Sequence, residues 1–466
     1  MHANLLNYNP DASPQIVIAG ASGYIGKTLI PTLLQRFPNA HITALSRGQQ
    51  RSTDERVHWK TCELFSLKSL EEALPGRVDL AIYLVHSMGP TAQLDQGSFA
   101  DYDLILADNF ARALKKSSVK HLIYLGGLIP DSKSLSRHLR SRLEVEEIFQ
   151  QYDLPTTIFR AGLILGEAGS SSQILLKLVR RLPVMICPAW TQTLTTPVDI
   201  GTVLHSISAC ALDPIHFDRV YDLAGCRPLT YLQMMKDTAL RIGKKRYFFK
   251  VPFFTPTLSR LWVSLITNTP KALVYPLIES LEHPMVPRSS HLFSHEWQNK
   301  SYGQLLENVT LRTHSKQALF KFHPAGKTVR SVQRLPLPQG RNAEWVKEYY
   351  IQWLPRFLAP FIKVTTLGKQ IKFSIFTTRL TLLELEVSEE RSDPDRQVLY
   401  IVGGMLVTIK DRGRLEFRVV LHRRFVLAAI HDFSPSLPWF VYKYTQAKIH
   451  LLVMQCFGRE IERDTP

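Results

Sequence analysis

Three glycines at three-residue spacing, Gly20, Gly23 and Gly26, carry the most specific chemistry in this chain. They follow the apolar run Ile16-Val-Ile-Ala19 and open a segment in which Ile25, Leu29 and Leu33 recur at helical spacing. A strand, a glycine-rich turn and a helix in that order make a seat for a pyrophosphate. One glycine makes the tight turn, one lets the backbone approach the phosphates, and one lets helix and strand pack closely. The anion rests on free N–H groups at the helix N-terminus, where the helix dipole also favours negative charge. Gly20, Ser22, Gly23, Tyr24, Ile25 and Gly26 are therefore the expected contacts of a dinucleotide. The competing reading is an ordinary strand-to-helix turn that binds nothing.

The next strand end chooses between nucleotides. His41-Ile-Thr-Ala-Leu45 reads as a second strand running into Ser46-Arg47-Gly48. An NAD site generally has an acid here for the ribose 2′-hydroxyl. This chain has none, and Arg47, with Arg51 nearby, suits a 2′-phosphate through charge-assisted bonds. NADP(H) is expected over NAD(H), against Arg47 as a solvated loop residue. Beyond a third strand at Val57-His-Trp59, Glu63 is placed either to accept from the adenine amino group or to cap the helix starting near Leu67. Asp79 to Val85 reads as a buried strand with His86 and Ser87 at its carboxyl end, where open α/β sheets bind ligands. These two are candidates for nicotinamide or substrate contact, or else parts of a structural loop.

The elements that must position these residues alternate regularly. A helix over Ala100–Lys116, a strand at Lys120–Leu125 ending in Gly126-Gly127, a helix over Leu135–Gln151 and a strand at Thr156–Arg160 continue the pattern. Such alternation predicts an α/β fold with a Rossmann-type, doubly wound parallel sheet.

The assembled motifs resemble the extended and atypical short-chain dehydrogenase/reductases. They are Gly20-Ala-Ser-Gly-Tyr-Ile-Gly26, Tyr83-Leu-Val-His-Ser-Met88, Tyr124-Leu-Gly-Gly-Leu128 and Arg160-Ala-Gly-Leu-Ile-Leu-Gly166, with Thr196-Pro-Val-Asp199 and Tyr221-Asp-Leu-Ala-Gly225 later. The nearest branch is the NmrA-like NAD(P)H-binding proteins, in particular bacterial members with an uncharacterised C-terminal domain. The superfamily resemblance covers about residues 14–250. It implies a nucleotide-binding oxidoreductase in which Tyr-x-x-x-Lys moves the proton and holds the nicotinamide ribose. Here the corresponding helix has His138-Leu-Arg-Ser-Arg142, with the right spacing and different residues. A spacing of four puts both on one helical face. His138 can move a proton near neutral pH and Arg142 can hold ribose hydroxyls or a phosphate, although a fixed cation favours the neutral imidazole over the protonated donor. Where the superfamily has a carbonyl-polarising Ser or Thr, this chain has Gly126-Gly127, and Gly126 is taken as a cofactor contact.

With 466 residues the chain is long enough for two or three domains. The expected division is a nucleotide-binding domain over 1–250, with substrate-side elements, a connector over 251–340 and an α+β domain over 341–466. In the first, Met185, Ile186 and Trp190 suggest either an apolar substrate pocket or core. The connector is rich in Pro, His and Ser, with short helices at Thr257–Ile266 and Lys271–Leu281 and a linker at Lys327–Gly340. Its scattered His283, His291, His295 and His314 lack the partners of a metal site, and no metal is expected. In the last domain, a helix bearing Trp345, Tyr349 and Trp353 precedes strands near Ile371–Thr377, Thr381–Val387, Gln397–Ile409, Arg414–His422 and Val426–Asp432. A helix from Trp439 to Phe457, with Tyr442, Ile449, Val453 and Cys456 along one face, then closes the chain. Antiparallel strands closed by one long helix suggest an α+β fold, and their order resembles the helix-grip folds of START and Bet v 1-like proteins, a resemblance that implies an apolar ligand cavity; the aromatics along the helix either line such a cavity or fill a core. Arg391, Asp393, Asp395 and Arg396 read as a solvated loop.

The net charge is +17, with the excess concentrated in the C-terminal half. The basic residues are dispersed among acids and form no nucleic-acid motif, so a solvated basic face or peripheral membrane contact is expected. No stretch reaches the eighteen or so apolar residues of a membrane span, and the first fifteen residues do not read as a signal peptide. Five separated cysteines without a C-x-x-C pair argue for a reducing compartment, hence a cytoplasmic location. Two functional classes follow: an NADP(H)-dependent reductase of a hydrophobic substrate, or a non-catalytic NAD(P)H-binding redox sensor or assembly factor whose C-terminal domain binds a lipid or protein partner.

Overall fold

The computed structural model describes residues 13–86, 94–132, 134–251, 278–294, 300–307, 328–375, 380–409 and 413–463, with the shorter pieces 263–264, 266–267, 275 and 309. The described residues fall into two compact units, one within 1–88 and 106–321 and the other within 89–105 and 322–466. The helices read at Thr257–Ile266 and Lys271–Leu281 lie mostly outside the described residues, as do Ser87, His295 and His314. Among the described residues no helix is long and apolar enough to cross a membrane.

The first unit is built on seven strands: β1 (Gln15–Ala19), β2 (His41–Ser46), β3 (Val57–Thr61), β4 (Leu80–Tyr83), β6 (His121–Gly127), β7 (Thr156–Ala161) and β8 (Arg219–Leu223). The intervening β5 (Leu94–Gln96) belongs to the other unit. The spatial order is β8-β7-β6-β4-β1-β2-β3, and every pairing is parallel. Strands such as Ile16–Ala19 and Leu80–Tyr83 are apolar throughout because a parallel sheet covered on both faces buries alternate side chains alike. The crossovers include α1 (Tyr24–Arg36), α2 (Leu67–Ala73), α3 (Phe99–Lys116), which has residues in both units, and α4 (Arg137–Gln151). Further on come α5 (Ser170–Arg181), α6 (Ile200–Cys210) and α7 (Tyr231–Arg241). On α1 the buried stripe is Gly26, Leu29, Ile30 and Leu33. The strand order reverses between β1 and β4, so the carboxyl ends of these strands border the crevice in which such sheets bind ligands.

The second unit holds a mixed, eight-stranded sheet of order β10-β11-β12-β13-β14-β15-β9-β5. Its strands after β5 are β9 (Val329–Pro336), β10 (Ile362–Leu367), β11 (Gln370–Ile375), β12 (Thr381–Val387), β13 (Arg396–Gly403), β14 (Arg414–Val420) and β15 (Phe425–Phe433). Only β5 pairs in parallel, with β9; β10 to β15 form an antiparallel meander whose last strand returns beside β9. Three helices accompany it, α8 (Ala343–Phe357), α9 (Trp439–Tyr444) and α10 (Gln446–Arg463). Leu415, Phe417 and Val419 alternate onto the face that packs against Val346, Tyr350 and Trp353 of α8 and Val453, Phe457 and Ile461 of α10.

Several expectations for this half are corrected. The segment read as a linker, Lys327–Gly340, contains β9, because Val329, Ser331 and Leu335 point to the core while Arg330 and Arg334 find acids at Asp432 and Asp101. The single terminal helix is two, broken at Thr445 (φ −120°, ψ −86°). Its buried stripe runs through Ala447, Val453, Met454, Phe457 and Ile461, leaving Ile449 exposed. Strand β13 stops at Gly403, since Gly404 has φ +110° and a β-carbon there would meet the Leu382 carbonyl oxygen at 2.4 Å. Strand β14 ends before a turn in which Leu421, His422 and Arg423 all have positive φ. Arg396 is not in a solvated loop: it is 6% exposed and pairs with the buried Glu416 at 2.7 Å.

Candidate functional site

Geometry at the first strand-to-helix turn accounts for two glycines directly. Gly20 has φ +85°, and a β-carbon on it would stand 3.0 Å from the Leu84 carbonyl oxygen. A β-carbon on Gly26 would stand 2.6 Å from the Gly20 oxygen and 2.7 Å from Ala21 Cα, so α1 approaches the turn as closely as backbone allows. Gly23 is the N-cap residue, in extended conformation, and its N–H donates to the Gly20 oxygen at 3.0 Å. No side chain caps α1 and its first turn holds no acid. The first N–H groups of a helix have no acceptor within it. This uncapped end, beside a glycine backbone and the exposed Ser22, has the donors and the open backbone that an anion seat requires. The half-buried Tyr24 and Ile25 form its first helical turn.

Tyr24 reaches from that turn to the loop after β7. Its phenol is half-buried beside Ala168 and Glu167, and burial raises its pKa. A β-carbon on Gly166 would fall 2.3 Å from the phenol oxygen. Gly166 thus shapes the site, a role signalled in the sequence only by its place at the end of the Arg160–Gly166 motif.

Strand β2 lies parallel to β1 with Leu45 opposite Ala19, which brings Ser46-Arg47-Gly48 out beside the glycine turn. Ser46 is buried, with its hydroxyl on the Gly48 carbonyl, and Arg47 is exposed. Glu63 follows β3 and its carboxylate accepts the Phe65 N–H at 3.2 Å. The cap of α2 is Ser66, whose hydroxyl accepts the Ser69 N–H, so the alternative of Glu63 as the helix cap is set aside.

The other side of the crevice gathers residues distant in sequence. His86 follows β4, and His138 lies in the first turn of α4, which Ser136 caps through the Leu139 N–H. The two imidazoles have ring centroids 5.1 Å apart at an interplanar angle of 38°. Arg142, one turn further and 5% exposed, lies along Gly127, where a β-carbon would be 3.4 Å from its Cγ. The Tyr124 hydroxyl donates to the Arg142 carbonyl at 3.5 Å. At Gly126 a β-carbon would come within 2.8 Å of the buried Tyr124 ring, so a side chain there would have to displace the ring. Another turn along α4, Glu146 takes a two-pronged ion pair from Arg160 of β7, with closest contact 2.6 Å, fixing helix to sheet behind the site.

An apolar cavity of about 100 Å³ lies in the same unit, lined among others by Leu163, Ile174, Leu178, Trp190, Tyr231 and Met234. Of the residues read as its wall, Trp190 belongs to it, Met185 sits in the adjoining core and Ile186 is 39% exposed.

Residues 20–178 match the family model described as NAD(P)H-binding. The glycine turn, β2 and the strand ends around His86 and His138 all fall within that match, so this stretch is similar to an NAD(P)H-binding domain.

Among curated proteins, auxiliary protein GraX of Staphylococcus aureus (strain NCTC 8325 / PS 47) is 30% identical over 126 residues. That segment is 27% of this chain and 40% of the relative, so the likeness spans less than half of that protein. Among solved structures, the NADPH-dependent quinone oxidoreductase QOR2 of Escherichia coli, complexed with NADPH, has a TM-score of 0.51 at 17% identity. It covers 63% of this chain and 98% of its own. The Citrobacter sp. triphenylmethane reductase complexed with NADP(H) has a TM-score of 0.50 at 16% identity, covering 63% and 99%. At such identities the likeness is one of fold.

Proposed function

We propose that the protein is an NADP(H)-dependent reductase of a small hydrophobic acceptor. The observation that carries this reading is the convergence, on one unit, of an uncapped glycine-lined helix end with His86, His138 and Arg142. The pyrophosphate would rest on the N–H groups that open α1, and Arg47 would meet the 2′-phosphate. Glu63, Ser46 and Gly126 would border the nucleotide. Arg142 would hold the nicotinamide ribose through a cation that never titrates. The bound cofactor would supply a hydride. His138 would supply the proton, and His86 beside it would steady the imidazole and face the nicotinamide. The apolar cavity at Trp190 and Tyr231 is in keeping with a hydrophobic acceptor.

One observation favours the second reading, in which the nucleotide is bound without turnover. The strand ends in Gly126-Gly127, with the Tyr124 ring 2.8 Å from where a β-carbon on Gly126 would stand, so neither position supplies a hydroxyl to polarise a carbonyl. The name of the 30%-identical relative, an auxiliary protein, is in keeping with that role.

The two readings part on NADPH oxidation with a quinone and a triphenylmethane dye as acceptors, the substrate classes named for the two similar structures. Reduction by the natural chain that is lost in His138→Ala, with NADPH binding intact, supports the reductase. Absence of turnover in both, with binding intact, supports the sensor.

A further inference from the structure

The second unit encloses a cavity of about 180 Å³ between the apolar face of its sheet and helices α8 and α10. Its lining is almost wholly aliphatic and aromatic, with Leu385, Ile401, Leu415 and Phe433 from the sheet and Tyr350 from α8.

Among the described sheet residues of the lining, one is polar. Ser331 of β9 and Leu415 of β14 both stand opposite Ile430 of β15. Directly opposed residues of antiparallel strands project to the same face, so the three form one cross-strand row along the cavity. The Ser331 hydroxyl is buried, with the residue 1% exposed, and has no hydrogen-bond partner among the described residues. An unanswered hydroxyl in an apolar row weakens the fold relative to Ala or Val, and a polar group bound in the cavity would answer it. A second such atom, Gln446 Oε1, also lines the cavity, at the start of α10 just after the break at Thr445.

The lining also limits the ligand's charge and size. Among the described residues that line it there is no Lys, Arg, Asp or Glu. The one titratable imidazole, His450, is pushed down to about 4 by burial and is neutral at pH 7. An ionised group would be desolvated there without a counter-charge, which excludes carboxylates and ammonium ions as occupants. A dry cavity of about 150 Å³ is known to take one benzene ring. The present volume therefore suits a single ring with a short substituent, and is too small for a long acyl chain. Ile449 lines the cavity and is 57% exposed, so the space opens to solvent beside α10.

We propose that the C-terminal unit is a receptor for a small uncharged molecule, an apolar body of one substituted ring with a single hydroxyl group that Ser331 holds. This site is independent of the nucleotide site and does not rest on the reductase reading.

The full chain, without nucleotide, is titrated with p-cresol, toluene and p-toluate, which share one shape and differ in hydroxyl and charge. Binding of p-cresol is expected to exceed that of toluene, with no binding of p-toluate. Ser331→Ala removes an unpartnered hydroxyl and so keeps the fold. It should weaken p-cresol about tenfold, the worth of one hydrogen bond, and leave toluene unchanged. Ile430→Trp fills the cavity and should abolish both. No p-cresol binding to the natural chain, or p-cresol affinity unchanged in Ser331→Ala, overturns the proposal. If Ile430→Trp does not fold, the Ser331→Ala comparison alone decides.

Discussion

The Gly20 carbonyl oxygen and Gly26 are packed so closely that a β-carbon on Gly26 would stand 2.6 Å from that oxygen. The obstacle is backbone on both sides, so neither partner can move aside as a side-chain end would. Gly26→Ala is expected to push α1 away from β1, lowering stability by about 1–3 kcal/mol, the usual cost of overpacking. Urea unfolding checks the first effect. The same displacement should weaken NADPH binding at the N-terminus of α1, which calorimetry checks.

Tyr124 fills the space where a side chain at Gly126 would go, with a closest approach of 2.8 Å to the ring. Restoring a hydroxyl by Gly126→Ser should therefore destabilise the unit by roughly 1–3 kcal/mol and create no new carbonyl reduction. A stable variant with gained turnover would show that the ring yields and that the missing hydroxyl alone limits the chemistry.

His121 gives the first unit an acid sensitivity of predictable sign. Its Nδ1 accepts the Leu212 N–H at 3.1 Å, and its other nitrogen meets the Thr157 hydroxyl at 2.8 Å, which itself donates to the His216 carbonyl. Those partners require a neutral ring with the proton on Nε2. Burial first, and His216 second, push its pKa down to about 3 from 6.5. The unfolded chain then binds more protons between these values. Its stabilising contribution is complete above pH 6.5 and is lost as the pH falls from there towards 3. At pH 5 the loss is about 2 kcal/mol. His121→Gln keeps one acceptor and one donor, and should lose less stability than the natural chain between pH 7 and 5 in urea titrations.

In the second unit, Glu416 sits among Arg396, Arg418 and Arg414 of strands β13 and β14. Burial alone would raise its carboxyl, but Arg418 and Arg396 hold it well below the usual carboxylate range. Removing that charge leaves buried guanidinium groups short of their counter-ion. Glu416→Gln should cost about 3–5 kcal/mol, as breaking a buried pair does, and lower the thermal midpoint. A variant as stable as the natural chain would contradict this account of the cluster.

The contrast between Gly26 and Arg396 shows which features could be read from sequence. The glycine turn and the strands of the parallel sheet announce themselves because local sterics and continuous apolar runs decide them. The β14 alternation of Leu415, Phe417 and Val419 was equally plain. Arg396 looked solvated because its partner Glu416 is twenty residues away on a neighbouring strand. Strand β9 was hidden for a like reason, as Arg330 and Arg334 make its pattern polar until Asp432 and Asp101 are brought beside them. Strand β5 is only three residues long and pairs with β9 across more than two hundred residues, so no periodicity could reveal it. At the site, the spacing of His138 and Arg142 was visible, but the approach of His86 to His138 depends on the order of β4 and β6 in the sheet.

The most direct test of the central claim is a calorimetric titration of the full chain with NADPH and with NADH, repeated for Arg47→Ala. The account predicts that NADPH binds more tightly than NADH, and that Arg47→Ala weakens NADPH about tenfold or more while leaving NADH nearly unchanged, as loss of a charge-assisted bond to the 2′-phosphate requires. Equal affinity for the two nucleotides, unchanged by Arg47→Ala, would contradict the phosphate preference. Failure to bind either would contradict the account as a whole.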